Sequence, residues 1–238
     1  MPGLGTLVNV LAILAGGAGG LLFRRFLPDR FRDTMIATSG LIVLFLGIGG
    51  TLSQMLRVGS DGRLESTGTL MMLASLAIGA VVGELLDIDR RFTSFGEWLK
   101  ERTGNARDPR FVDGFVAASL TVCIGAMAVV GAIEDVLLLN HTILYTKAVL
   151  DLIIVMIMTA SMGRGCVFSA LSVGLFQGSI SVLAGALRPI LTDAALSNLS
   201  LVGNVLIFAV GVNLLFGPKV KVANLLPALI VAVVWAFV

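Results

Sequence analysis

The chain has 238 residues, 57% of them hydrophobic and only 13% charged, with a mean hydropathy of +0.99 and a net charge of +2. A soluble domain carries about 25% charged residues. Half that share, with apolar runs near twenty residues along the whole length, excludes an ordinary soluble domain and predicts an all-α polytopic membrane bundle. The small positive charge gives no sign of nucleic-acid binding. A lipid-facing barrel would alternate in hydropathy, whereas this chain is apolar in long continuous runs.

At about twenty residues per crossing, eight spans are expected, at 3–23, 33–55, 67–86, 111–133, 141–162, 166–187, 198–216 and 221–238, in a single transmembrane domain over 1–238. Residues 1–23 lack a positive n-region, so they read as the first span and not as a cleaved signal. This span carries Asn9 and the run GGAGG at 16–20, small residues that let another helix approach closely.

The loops set the orientation. Arg24, Arg25, Arg30 and Arg32 follow span 1; Arg90, Arg91, Lys100, Arg102, Arg107 and Arg110 follow span 3; Arg164 follows span 5, and Lys219 and Lys221 follow span 7. The alternate loops hold only Arg57, Arg63 and Arg188. Cytoplasmic loops are enriched in Lys and Arg, so both termini are expected outside. Within the third loop, residues 88–104 read as an amphipathic connector helix at the cytoplasmic surface, with Phe92, Phe95, Trp98 and Leu99 on one side.

Span 4 is interrupted by Gly125 and Gly131. Two readings stand side by side: close helix packing, or an unwound segment near Gly125 whose freed backbone lines a cavity. Glu134 and Asp135 end the span, where they are either simply solvated or form an acidic vestibule. Span 5 holds the sharpest signal, Lys147 and Asp151, four residues apart on one helix face. An ionised side chain at a helix centre costs roughly 2.5–3.5 kcal/mol on insertion scales. Counted from His141, Asp151 lies about 15 Å into the bilayer, near the middle of a hydrocarbon core about 30 Å thick. Lys147 is long enough to snorkel outward; Asp151 is not. Asp151 is therefore expected to face the bundle interior, as an ion or proton site or as an anchor for Lys147. In span 6, Gln177 beside Gly178 is expected to line a polar path or to bond across helices. Asn204 and Asn213 add amides in span 7.

The segments LPDRFRDTMIATSGLIVLFLGI (27–48) and LTDAALSNLSLVGNVLIFAVGV (191–212) align without a gap, 164 positions apart. Leu27 matches Leu191, Asp29 matches Asp193 and Gly47 matches Gly211; just upstream, Arg24 matches Arg188. Allowing a gap of about one turn, Asn9 becomes the counterpart of Gln177. Span 1 would then correspond to span 6 in opposite orientation. An inverted repeat of spans 1–3 and 6–8 is an architecture of secondary transporters, with the site near the midplane.

Cys123 and Cys166 sit in apolar surroundings and His141 is the sole histidine, so neither a disulfide framework nor a metal site or other cofactor is expected. No catalytic motif is present, and an enzyme is not expected.

The stretches GTLVN (5–9), GELLDIDRRF (83–92), FVDGFVAASLTVCIGAMAVVGAIED (111–135), KAVLD (147–151) and FQGSIS (176–181) together resemble the YdfK/YqgA-like family of prokaryotic inner-membrane proteins, the domain of unknown function 554. The resemblance covers nearly the whole chain, and CIGAMAVVGAIED is its most specific part. The family usually has proline where this chain has Ala126. The resemblance implies a bacterial or archaeal plasma-membrane protein and supplies no substrate.

The expected function is a small secondary transporter of a small solute, monovalent cation or proton. Its mid-membrane site lies between spans 1, 4, 5 and 6 and uses Asp151, Lys147, Gln177, Asn9, Gly125 and Gly131. The alternatives are an oligomeric channel or pore and a non-transporting structural or partner-binding membrane protein. Glycine-rich faces also favour a homodimer.

Overall fold

Apolar runs become helices wherever a polar or glycine-containing segment marks each end. The computed structural model describes residues 1–26, 29–58 and 62–238; the Leu27–Leu191 match of the repeat therefore lies outside the described residues. The helices are α1 (Leu4–Phe26), α2 (Asp29–Met55), α3 (Thr69–Leu86), α4 (Ile88–Arg102), α5 (Phe111–Cys123), α6 (Ala126–Leu137), α7 (Thr142–Met162), α8 (Ser169–Leu187), α9 (Asp193–Phe216) and α10 (Pro227–Trp235). The Thr192 hydroxyl caps α9 by accepting from the Ala195 N–H at 3.2 Å. Gly163 (φ 102) and Gly217 (φ 79) end α7 and α9 in a backbone conformation that side-chain-bearing residues avoid.

Among the described residues, six helical segments are long and apolar enough to cross a membrane, and the bent pair α5–α6 makes a seventh if it is one span. The chain is an all-α, multi-pass membrane bundle. The eighth expected span is shorter than its composition promised. Val222–Leu225 forms a 3-10 turn, and α10 follows with Pro227 in its first turn. Proline has no N–H to give to a preceding turn, so it starts a helix and does not extend one. Its nine residues rise about 14 Å, under half the hydrocarbon thickness.

Between α2 and α3 the chain forms a short antiparallel ribbon, β1 (Leu56–Val58) and β2 (Leu64–Ser66), with Arg57 opposite Glu65. The amphipathic connector α4 lies against the foot of α5. Phe92 stacks on Phe115 at 5.5 Å, Phe95 contacts the same ring at 5.8 Å, and Leu99 is buried.

Glycine-lined crossings hold the bundle, two of them between long helices. In α1, a Cβ on Gly16 would lie 2.3 Å from the Leu152 carbonyl oxygen, and one on Gly20 2.4 Å from that of Met156. The GGAGG run thus brings α1 backbone-close to α7. The second crossing joins α2 and α9 and is reciprocal. A Cβ on Gly47 would lie 2.4 Å from the Phe208 nitrogen, and one on Gly211 2.6 Å from the Leu44 nitrogen. Residues 44 and 208, like 47 and 211, are 164 positions apart. Each helix therefore offers the other the same register. The largest apolar core surrounds this crossing, with Val43, Leu120, Ile124, Val202, Leu206 and Val210 among its members.

Candidate functional site

The site starts from a broken helix. Helix α5 stops at Cys123, Ile124 is extended (φ −78, ψ 125) and Gly125 adopts φ 141, ψ 151. Only glycine takes that conformation without strain. Helix α6 then leaves at 62° to α5. The break occurs with alanine at position 126, so Gly125 makes it without a proline. Ending α5 in the membrane frees carbonyls at its C-terminal end, where the helix dipole is negative.

Lys147 takes one of them. Its ammonium donates to the Val122 carbonyl at 2.7 Å and to Asp151 Oδ1 and Oδ2 at 2.8 and 2.6 Å. Asn9 Nδ2 on α1 donates to Asp151 Oδ2 at 3.1 Å and reaches Gln177 Oε1 on α8 at 3.5 Å. Asn9 and Gln177 are fully buried, and Asp151 and Lys147 nearly so. Four helices thus contribute to one polar layer near the middle of α7. Asn9 Oδ1 and Gln177 Nε2 are buried without a hydrogen-bond partner among the described residues.

The layer is closed at both ends. One turn towards the end of the bundle that carries Arg24, Arg110 and Arg164, Ile13, Val155 and Val173 pack with Val122 and Ala170 into an apolar plug. Towards the opposite end, Asp135 of α6 accepts from the Gly5 and Thr6 N–H groups at 3.0 and 3.4 Å and contacts His141 Nδ1. A carboxylate at a helix N-terminus satisfies free N–H groups and the dipole together. Fully buried Asp135 is therefore the cap of α1 and does not line an acidic vestibule. Glu134, beside it, accepts from Asn140 Nδ2 at 2.8 Å.

Two open cavities lie at the arginine-bearing end. One, of about 730 Å³, is lined by Arg24, Arg25, Arg164, Asp108, Leu21 and Leu22. The other, of about 520 Å³, runs between α4, α5 and α9 as far as Leu120, one turn short of the break. Asp89 sits on its wall; burial pushes that carboxyl above its ordinary value, against the pull of the Lys221 charge.

Of the residues singled out by sequence, Asp151, Lys147, Asn9 and Gln177 meet, and Gly125 makes the break beside them. Gly131 does not join them. A Cβ there would lie 2.7 Å from Leu144 Cδ2, so it is a packing glycine between α6 and α7. Lys147 does not snorkel, because two acceptors wait inside. Asn204 bonds back to the Ser200 carbonyl in its own helix, and Asn213 ties down the backbone of Lys219 and Val220. Sequence reasoning missed the Val122 carbonyl as the third partner of the pair. Its signal is position, three residues ahead of the glycine that ends the helix.

Residues 4–237 match the family described as "Protein of unknown function (DUF554)". The chain belongs to this family. It is 28% identical over 234 residues to the uncharacterized membrane protein YdfK of Bacillus subtilis, covering 98% of this chain and 96% of that protein. It is 27% identical over 233 residues to the uncharacterized protein YqgA of Escherichia coli, covering 96% and 94%. No solved structure matches the chain. Four of the five stretches that carry the family resemblance converge on the polar layer. GTLVN brings Asn9, the long span-4 stretch brings the break, KAVLD brings both charges and FQGSIS brings Gln177.

Proposed function

We propose that this protein is a small secondary transporter whose mid-membrane site is the layer of Asn9, Lys147, Asp151 and Gln177. One observation carries the reading: a buried charged pair bound to the freed carbonyl of a broken helix. Ionisable residues at that depth are costly and mark ion or solute pathways. Broken helices at the midplane are where transporters hold coupling ions. The reciprocal crossing of α2 and α9 supports an inverted repeat of α1–α3 and α8–α10, with Asn9 and Gln177 as counterparts across its axis. The apolar plug and the Asp135 cap then act as the two gates of an occluded state. Its cargo is a small solute, a monovalent cation or a proton, and the protein is no enzyme. The basic loops favour an arginine-bearing end in the cytoplasm of a bacterial or archaeal cell, with the N-terminus towards the outside of the plasma membrane. Gly178 and Gly185 of α8, where a Cβ would meet nothing within 4 Å, leave a face that suits a homodimer.

The test is charge movement in proteoliposomes on a solid-supported membrane, with jumps in Na⁺, pH and a panel of small metabolites. A current in the wild type that vanishes in a folded Asp151→Asn variant is the expected result. A current that persists in that variant removes Asp151 from the pathway. Silence in both, together with no flux of the same solutes by filtration uptake, overturns the transport reading.

A further inference from the structure

We infer that the Lys147 ammonium occupies a monovalent-cation site of the fold, as a tethered cation that makes free Na⁺ or K⁺ unnecessary there. The inference goes beyond transport and does not depend on it; it narrows the cargo proposed above to a small solute or a proton, and it rests on the shell around Nζ.

That shell has three oxygens, the two of Asp151 and the main-chain oxygen of Val122, at 2.6–2.8 Å. A lysine and an aspartate four apart on a helix pair without help from any other element. The Val122 carbonyl is a different kind of partner. It comes from another helix, at the negative end of a half-helix that stops inside the membrane. In transporters, unwound backbone carbonyls and the C-terminal ends of half-helices coordinate Na⁺ or H⁺, and intramembrane carboxylates mark ion pathways. The cradle has further unused capacity. Asn9, already bonded to Asp151, keeps its carbonyl oxygen buried and without a partner among the described residues. Open space lies at the break itself, where a Cβ on Gly125 would meet no atom within 4 Å.

The positive charge therefore has a mechanical role. It fastens the end of α5 to the middle of α7 across a break that hydrogen bonds within a helix no longer hold together. In this chain the fastener is covalently attached and cannot dissociate. Removing the Lys147 side chain beyond Cβ leaves the carboxylate and the carbonyl facing a vacancy, which a free monovalent cation fills.

The experiment is thermal unfolding of the purified full chain in detergent, with NaCl, KCl, methylammonium chloride or choline chloride at equal ionic strength. Wild type is expected to melt at one temperature in all four salts. Lys147→Ala is expected to melt lower in choline, and to rise saturably by about 5 °C or more when a small cation reaches a hundred-fold excess over its Kd. Lys147→Ala/Asp151→Asn, which lacks the carboxylate, is expected to show no such rise. A Lys147→Ala melt that ignores the cation overturns the inference, and so does a double variant that responds as strongly. If Lys147→Ala does not fold, Lys147→Ser is measured in its place. The wild-type arm decides by itself as well, because a saturable rise with Na⁺, K⁺ or methylammonium in wild type means that Lys147 does not fill the site. A protein that carries no current still gives these melts, so failure of the transport reading and failure of this one are separable.

Discussion

A lysine, a carboxylate and an asparagine meet twice in this molecule. Near the middle of α7, Lys147 bonds Asp151 at 2.6 Å and Asn9 bonds the same carboxylate. At the arginine-bearing end, Lys221 bonds Glu84 at 2.6 Å and Asn224 bonds that carboxylate, also at 2.6 Å. The shortest lysine–carboxylate distance is the same in both, and the surroundings are not. The side chains of the first pair are 9% and 4% exposed, those of the second 59% and 60%. Distance therefore says little about the worth of either pair. The inner one is held in a medium that neither screens it nor solvates its parts if they separate. The outer one has water and salt as ready substitutes.

The largest expected effect is at the inner pair. Asp151→Ala leaves the Lys147 ammonium buried with one neutral partner, and breaking a buried pair costs about 3–5 kcal/mol. Thermal unfolding in detergent or lipid nanodiscs measures it. Replacing both charges, as Lys147→Met/Asp151→Leu, is expected to recover most of that loss, since the penalty comes from the orphaned charge. A double variant as unstable as Asp151→Ala would mean that the bond to Val122, and not the charge pairing, holds the layer together.

Next is the break that distinguishes the two settings. Gly125→Ala meets no steric obstacle, but its backbone sits at φ 141, ψ 151. A side-chain-bearing residue there costs about 1–3 kcal/mol. The strain is relieved if α5 and α6 straighten, which withdraws the Val122 carbonyl from Lys147. A cysteine-crosslinking distance or a spin-label pair across α5 and α6 distinguishes a strained break from a straightened one. An unchanged melting point would mean that the break is soft and its geometry is not set by Gly125.

Much of the inner site was legible in sequence because the rule behind it is severe. In hydrocarbon a polar side chain must find another, so Asn9, Asp151 and Gln177 in otherwise apolar runs point to one another. Gly125 was legible for a related reason, as a flexible residue among polar neighbours. The direction of Lys147 was not. Its stem reaches the surface as easily as the interior, and the deciding acceptor exists only once α5 has stopped at Cys123. Asp135 was read as exposed because its partners, the first N–H groups of α1, lie about 130 residues away in the chain. The short α10 was hidden as well. Its apolar composition suits a crossing, but Pro227 and the 3-10 turn before it divide the run.

The outer pair gives the smallest effect and the sharpest contrast. The hydrogen bond to Glu84 and its charge hold the Lys221 ammonium above its ordinary value. The sign follows from that direction: a lysine whose folded-state value is raised contributes in full below its unfolded value and loses the contribution only as pH climbs through the raised one. Between pH 6 and about 9 the pair should therefore give no slope in stability, well below the ordinary lysine value near 10.4. Both partners are more than half exposed, so added salt weakens their attraction. Glu84→Gln keeps the Asn224 contact and removes only the charge, and its melting point in high salt should match that of wild type. The same salt should leave the gap between wild type and Asp151→Ala untouched, because bulk salt does not screen charges in a layer closed by Val155 on one side and Asp135 on the other. If salt narrows both gaps alike, the inner layer is open to solvent, and the contrast between the two pairs is one of degree.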